Sequence, residues 1–133
     1  MKLENNIRFL GYISYPESCF HNYSLNLFPS ISEAFPMVLS ETKIYGIPNI
    51  LLGLDYIKLA KKGNIIIYDD SPESLSREAI KLLKYHNLRQ NLGNEARISV
   101  KKYNNNLLMS KWSKLILSVY YENNYFQDLI KND

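Results

Sequence analysis

Cysteine is almost absent from this sequence of 133 residues. Cys19 is the single cysteine, which excludes an internal disulfide and the stapled scaffold of small secreted proteins. No apolar run approaches the ~18 residues of a membrane-spanning helix, and the opening MKLENNIRFLGY lacks the apolar core and cleavage pattern of a signal peptide. These absences together predict a cytoplasmic protein.

A strong excess of charge of either sign is also missing. Sixteen Lys and Arg against thirteen Asp and Glu give a net charge of +3 and a pI near 8.9, which is mild for a protein whose main ligand is a nucleic acid. The five glycines form no Gly-rich phosphate loop. With 46% apolar residues the chain can build one core but is too short for two. We expect a single domain over residues 1–133 and no nucleic-acid partner.

Strand and helix patterns alternate in the first half of the chain. The stretches IRFL (7–10), SLNLF (24–28), PNILL (48–52) and NIIIY (64–68) are continuously apolar, as buried parallel strands are. Helical patterns follow at 36–45 and 55–62, and only helices follow Ser71: one opened by Pro72, one over about 88–102 and one from near Leu107. The pattern predicts an α/β fold, a Rossmann-like open parallel sheet of about four strands within residues 1–70, with flanking helices and a helical part at 71–133.

The loop PSISEAF joins the carboxyl end of the strand at 24–28 to a helix that starts behind Pro36. Ligands of open α/β sheets bind at that edge. Pro36 has no N–H group, so the first free amide hydrogens of the helix belong to Met37, Val38 and Leu39. Unpaired donors and the positive end of the helix dipole then favour an anion such as a phosphate.

Two glutamates accompany this helix start. Glu33 lies in the loop, and Glu41 lies inside the helix, roughly 7 Å along its axis from Pro36. Carboxylates accept hydrogen bonds from vicinal hydroxyls, so a nucleotide sugar would fit with its diphosphate on the amides, its ribose at Glu41 and its sugar at Glu33. The spacing of two glutamates is, by itself, common by chance.

The segment SLNLFPSISEAFPMVLSETKIYGIPNI resembles the signature of retaining glycosyltransferases of the GT-B fold, the group 1 or family 4-like enzymes. The positions that match are Pro29, Ser30, Glu33, Phe35, Pro36, Glu41, Gly46 and Pro48. The flanks NIRFLGYI and KKGNIIIYDDSPESLSREAIKLL extend the resemblance over nearly the whole chain. It implies part of the C-terminal domain of an enzyme that transfers a sugar from a nucleoside diphosphate to a hydroxyl acceptor, as in the synthesis of bacterial surface polysaccharides.

The resemblance also implies roles for individual residues. The donor sugar would contact Glu33, Ala34, Phe35 and Pro36, the diphosphate the amides of Met37, Val38 and Leu39, the ribose Glu41, and the nucleobase Gly11, Tyr12 and Ile13. The donor would be UDP- or GDP-linked, with no metal ion or other cofactor. Ala34 stands where the family mostly has Gly, so a positive φ there would make the methyl group costly.

By this resemblance, the sequence would begin partway through the family's C-terminal domain. The resemblance thus implies that the first strand, its helix, the second strand, the Arg/Lys pair for the diphosphate and the acceptor-binding N-terminal domain lie outside this sequence. We therefore expect the isolated chain to be inactive and to need a separate N-terminal GT-B domain. One alternative is a non-catalytic truncated remnant, or an interaction subunit that pairs with that half through its sheet edge and last helix. A weaker one is a nucleic-acid binder using the basic C-terminal helices. Membrane contact would be peripheral at most, at the inner face.

Three further observations have ordinary structural explanations. Asp69 and Asp70 precede the helix start at Ser71, where acidic residues are favoured, so we expect capping rather than metal binding. Cys19 and the two histidines have no evident partner. Trp112, Leu115, Ile116 and Val119 recur at helical spacing and predict an apolar stripe along the last helix.

Overall fold

The computed structural model describes residues 3–54, 57–103 and 105–131. The chain divides into two compact units, residues 1–99 and residues 100–133. The elements of the first unit are α1 (Glu17–Phe20), β1 (Asn26–Phe28), α2 (Met37–Ile44), β2 (Asn49–Leu52), β3 (Asn64–Ile67), α3 (Pro72–Lys84) and α4 (His86–Val100), which ends at the first residue of the second unit. The second unit continues with a 3-10 turn, Lys101–Tyr103, and α5 (Asn105–Lys131).

The three strands form one parallel sheet in the order β1-β2-β3. Their first residues are in register, because Asn26 pairs with Asn49 and Asn49 with Asn64. Every residue of the central strand β2 is buried, as its unbroken apolar run predicts. The predicted fold class, a Rossmann-like open parallel sheet with flanking helices and a helical C-terminal part, is therefore confirmed.

The expected strand at residues 7–10 is wrong, and the described sheet has three strands rather than about four. This stretch is irregular, and Ile7, Phe9 and Leu10 are exposed, Phe9 to 93%. A strand needs a hydrogen-bonded neighbour, and β1 pairs with β2 alone in the described sheet. The prediction came from apolar character at 7–10 and from the resemblance of NIRFLGYI to the family, and neither supplies that neighbour.

A helix was expected over residues 55–62, of which residues 55 and 56 lie outside the described residues. In the described part the structure has a 3-10 turn, Lys58–Lys61, instead. The bonds of this segment run over three residues, with Ile57 N–H donating to Leu54 and Ala60 N–H to Ile57. Such bonding suits short connectors. The other predicted helices are confirmed, with boundaries shifted by one or two residues.

The core of the first unit lies where α3 and α4 cover one side of the sheet. Ile50, Leu52, Ile67 and Leu82 form a buried cluster, and Leu88 and Leu92 pack against it. Helix α3 begins as predicted, because Ser71 accepts a hydrogen bond from Ser74 N–H at 3.2 Å. Removal of these apolar side chains from water stabilises the layer of helices on the sheet.

Helix α4 approaches the end of α2 very closely. A Cβ atom built on Gly93 would lie 2.2 Å from the carbonyl oxygen of Gly46, which no side chain tolerates. Gly46 follows α2 with a φ of +70°, a value that favours glycine. The two glycines thus let α4 contact the chain where it leaves α2, and they help to set the position of that helix.

Helix α5 of the second unit carries a row of apolar side chains. Leu108, Trp112, Leu115, Ile116 and Val119 recur at intervals of one to four residues, and each is more than a third exposed. The predicted apolar stripe therefore lies along the helix as a surface feature. None of the helices within the described ranges has the length and apolar content required to cross a bilayer.

Candidate functional site

The loop at residues 29–36 carries the chain from the carboxyl end of β1 to the start of α2. Phe28 ends the strand, and Pro36 is the last extended residue, with φ −76° and ψ 94°. Pro36 is buried, so it fixes where the helix begins. The helix start predicted from Pro36 is confirmed, and it follows an eight-residue loop beyond the edge of the sheet at which ligands of such folds bind.

The amino end of α2 has free backbone donors. No side chain of the described residues caps it. The amides of Leu39 and Ser40 both donate to the carbonyl of Pro36, at 3.1 and 3.3 Å. The amides of Met37 and Val38 precede these first helical bonds, and both residues are exposed. Of the three amides expected to hold a diphosphate, that of Leu39 is already engaged, which leaves those of Met37 and Val38.

The carboxylate of Glu33 is held in the loop by a side-chain hydrogen bond. Ser30 Oγ donates to Glu33 Oε1 at 2.8 Å, and Ser30 Oγ also lies 3.2 Å from the carbonyl oxygen of Ser32. Glu33 is partly exposed. The bond restricts the rotamer of Glu33 within the loop.

Glu41 lies one turn into α2 and is half-exposed. Within the described part of the chain its carboxylate forms no hydrogen bond or ion pair. Its neighbour Thr42 is buried, and the Thr42 hydroxyl lies 2.8 Å from Asn49 Oδ1 on β2. Glu41 is therefore carried by a helix that is fixed to the sheet, while its own charge remains available to a ligand.

Lys43 also holds α2 in place, by binding the segment that follows β2. Its side chain is fully buried, and its Nζ donates to the carbonyl of Leu59 at 2.5 Å and to that of Lys62. Burial lowers the pKa of Lys43 to about 8. The sequence does not signal this role, because a lysine in a short helix is normally solvated.

The remaining residues with expected roles are exposed, apart from the half-buried Ile13. Gly11 has a φ of +64° and Tyr12 is 91% exposed, and both lie with Ile13 in an irregular segment before α1. Ala34 and Phe35 are exposed in the loop before Pro36. Ala34 does not have a positive φ, so its methyl group carries no strain of the kind that a glycine would relieve.

Asp69 binds two residues at the start of α3, whose N-cap is Ser71, whereas Asp70 forms no such bond within the described residues. Asp69 Oδ1 accepts from Ser71 N–H at 2.7 Å and Asp69 Oδ2 accepts from the hydroxyl of Ser74. The hydrogen bonds from Ser71 and Ser74 lower the pKa of Asp69 to about 2. Among the residues that the structure describes, no three His, Cys, Asp or Glu side chains converge as metal ligands would.

The chain matches the family model of "Glycosyl transferases group 1" over residues 1–99. This range covers the loop, both glutamates and the whole sheet. A comparison with curated proteins finds no match.

Proposed function

This chain belongs to the group 1 glycosyltransferases, and on that premise we propose that it is the donor-binding portion of a retaining enzyme of surface polysaccharide synthesis. Domains of this family serve glycosyl transfer and bind nucleotide sugars in general. The proposed reaction moves a sugar from a UDP- or GDP-linked donor to a hydroxyl acceptor. The other side of the cleft would come from an N-terminal GT-B domain, because transition-state stabilisation needs groups on both sides.

One observation carries the proposal: the combination of free amides and carboxylates around the start of α2. The amides of Met37 and Val38 supply donors and the positive helix end for a diphosphate. Glu41 suits the ribose diol because its carboxylate is without a partner in the described part of the chain, and Glu33 suits the sugar hydroxyls because Ser30 holds it at 2.8 Å. We propose that no metal ion is required, since the helix end offsets phosphate charge. The nucleobase is proposed to lie at residues 11–13.

Thermal unfolding in the presence of nucleotides tests the proposal. We expect either the uridine compounds (UDP and UDP-sugars) or the guanosine compounds (GDP and GDP-sugars), at millimolar concentration, to raise the midpoint temperature of unfolding. A ligand at a hundred times its dissociation constant adds about 2.7 kcal/mol to stability. The Glu41→Ala variant should lose the rise. The exposed Glu95 of α4 provides the control, and Glu95→Ala should keep it.

Two results would contradict the proposal. One is the absence of a rise with any nucleotide, and the other is an equal rise in the Glu41→Ala variant. Addition of EDTA should leave the midpoint unchanged, and a loss of the rise would show that a metal ion takes part. The purified chain alone should transfer no sugar.

The second candidate is an interaction subunit that pairs with a separate N-terminal half without binding donor. The apolar row on α5 favours it, because exposed apolar surface of this extent marks interaction sites. It predicts that no nucleotide changes the unfolding midpoint, whereas co-expression with such a half stabilises the chain. Nucleotide binding therefore separates the two candidates.

A further inference from the structure

Helix α2 has only eight residues, and the groups proposed to bind the donor come just before those that fix the helix to the fold. The amides of Met37 and Val38 open the helix, and Glu41 follows one turn later. The next two residues, Thr42 and Lys43, are polar and buried. Because two turns of helix move as one piece, the contacts of Thr42 and Lys43 bear directly on where the donor groups lie.

The two buried side chains reach different parts of the fold. Thr42 Oγ1 lies 2.8 Å from Asn49 Oδ1, at the start of the central strand. Lys43 Nζ donates to the carbonyl oxygen of Leu59 at 2.5 Å and to that of Lys62. Thr42 thus fixes α2 to the sheet, whereas Lys43 fixes it to the connector, the segment of residues 57–63 that leads into β3.

The connector is also held from the side of the sheet. Asn64, the first residue of β3, donates from Nδ2 to the carbonyl oxygens of Ala60 at 2.7 Å and of Lys62 at 3.0 Å. The Lys62 carbonyl therefore accepts from Lys43 and from Asn64, so that α2 and β3 share one acceptor. A shift of α2 relative to the sheet would break bonds at the connector as well as at β2.

A buried ammonium group is a poor means of stabilising a fold, because the charge has to be removed from water. A methionine at position 43 would fill a similar volume without that cost. Methionine could not, however, donate two directed bonds to two separate carbonyl oxygens, and such bonds fix one orientation of the helix against the connector. The arrangement of Lys43 therefore favours the position of α2 over stability as the purpose of its burial.

We propose that Lys43 is a positioning residue of the donor site, whose two carbonyl bonds hold the amino end of α2 in the orientation that binds the nucleoside diphosphate. This inference rests on the proposed function. Lys43 follows Met37 by six residues, or roughly 9 Å along the axis, so it acts through the helix rather than by contact with the donor. Without its bonds α2 could tilt about Thr42, which would move Glu41 and the amides together relative to Glu33 of the loop.

Calorimetric titration with UDP and GDP, well below the unfolding midpoint, tests the proposal. Lys43→Met should bind the nucleotide preferred by the parent about fivefold more weakly, the effect expected for the loss of one hydrogen bond or more. Ile67→Val deletes a buried methylene from the core that α3 and α4 cover, and it should lower stability and keep the affinity. Lys58→Met, at an exposed lysine of the connector, should keep the affinity as well.

Restoration of the ammonium group separates the bonds of Lys43 from its packing. Lys43→Cys can be aminoethylated in urea and refolded, in a Cys19→Ser background so that only one thiol reacts. The product carries an ammonium group of nearly the same reach as lysine and should recover the affinity of the parent, whereas the unmodified Lys43→Cys protein should not.

Backbone amide NMR of the ¹⁵N-labelled chain without ligand gives a second readout. The amides of Met37, Val38 and Glu41 should shift in Lys43→Met and return in the aminoethylated protein. A residue that only stabilised the fold would leave these amides in place, as Ile67→Val should.

Three results would overturn the proposal. They are the affinity of the parent in Lys43→Met, an equal loss of affinity in Ile67→Val, and an aminoethylated protein that folds without recovering the affinity. If neither UDP nor GDP binds the parent chain, the proposed function fails. The amide shifts of the ligand-free proteins then decide alone: shifts at the start of α2 uphold Lys43 as the residue that positions it, and unchanged amides refute it.

Discussion

Arg97 donates a hydrogen bond of 3.0 Å from its guanidinium to the backbone carbonyl of Tyr45. Tyr45 directly follows the last residue of α2, so a cation of α4 meets the negative end of the helix that carries Glu41. Helix α4 therefore helps to hold α2 in place. It does so although α4 itself carries neither Glu33 nor Glu41, the two carboxylates of the candidate site.

Gly93→Ala should destabilise the protein although alanine is the better helix former. Helix propensity alone predicts a gain of about 1 kcal/mol. The new Cβ would, however, lie 2.2 Å from the oxygen of Gly46, and such overpacking costs about 1–3 kcal/mol and more where backbone must move. Urea unfolding should show a lower midpoint. The exposed neighbour Asn94 is the control, because Asn94→Ala should raise stability slightly; a stabilised Gly93→Ala would contradict the close contact.

Ser30→Ala should weaken donor binding with little effect on stability. The variant removes the hydrogen bond that orients Glu33, and a bond of this kind contributes about 1 kcal/mol, or roughly fivefold in affinity. Calorimetric titration with the nucleotide sugar that stabilises the protein measures the loss. Ser32→Ala, in the same loop, should bind as the parent does. Equal affinities for both variants would mean that Glu33 does not need this orientation.

Lys43 should make stability rise at alkaline pH. Its pKa is about 8 in the folded protein against 10.5 when solvated, so between these values the unfolded chain binds more protons and folding is favoured as pH increases. At about 1.36 kcal/mol per unit, the unfolding free energy should rise by about 3 kcal/mol between pH 8 and 10.5 relative to Lys43→Met.

Urea unfolding at several pH values measures this difference. Lys58 is exposed, and Lys58→Met should therefore show the same pH dependence as the parent. A constant difference between parent and Lys43→Met across the range would rule out a lowered pKa.

Asp69 should remain ionised well below the usual range of aspartate. The pKa of Asp69 is about 2 in the folded protein, against 3.8 for a solvated aspartate. The stability that the ionised carboxylate contributes is therefore fully present above pH 4 and is lost as the pH falls towards 2. Carboxyl ¹³C NMR should record a titration near pH 2 that moves upward in Ser74→Ala. Ser76→Ala, on the same helix but bonded to the Glu73 carbonyl, should leave it in place.

The fold of the sheet and the start of α2 were predictable because local signals dominate there. The run of β2 is apolar because both faces are covered, and Pro36 both ends the loop and opens the helix. The strand at 7–10 was not predictable from its apolar residues, since a strand exists only with a partner. The 3-10 turn at Lys58–Lys61 likewise depends on distant contacts, among them the Lys43 bond to Leu59.

The part of the candidate site that depends only on the loop at residues 29–36 and on α2 could be predicted from the sequence. Glu33 and Glu41 could be located from the positions of Pro36 and the preceding strand. Neither the Ser30 bond nor the engagement of the Leu39 amide could be, because both depend on torsion angles in the loop. The contrast between Asp69 and Asp70 was equally hidden, since it depends on which carboxylate turns towards Ser74.

Because Lys43 is completely buried, its rate of chemical modification would report local opening of the structure around it. Lys58, Lys61 and Lys62 are exposed and should react readily with an acylating reagent, whereas Lys43 can react only when the segment after residue 56 separates from α2. Mass spectrometry of the modified chain would then measure how often that separation occurs, and a ligand bound at the amino end of α2 should slow the modification of Lys43 while leaving its neighbours unaffected.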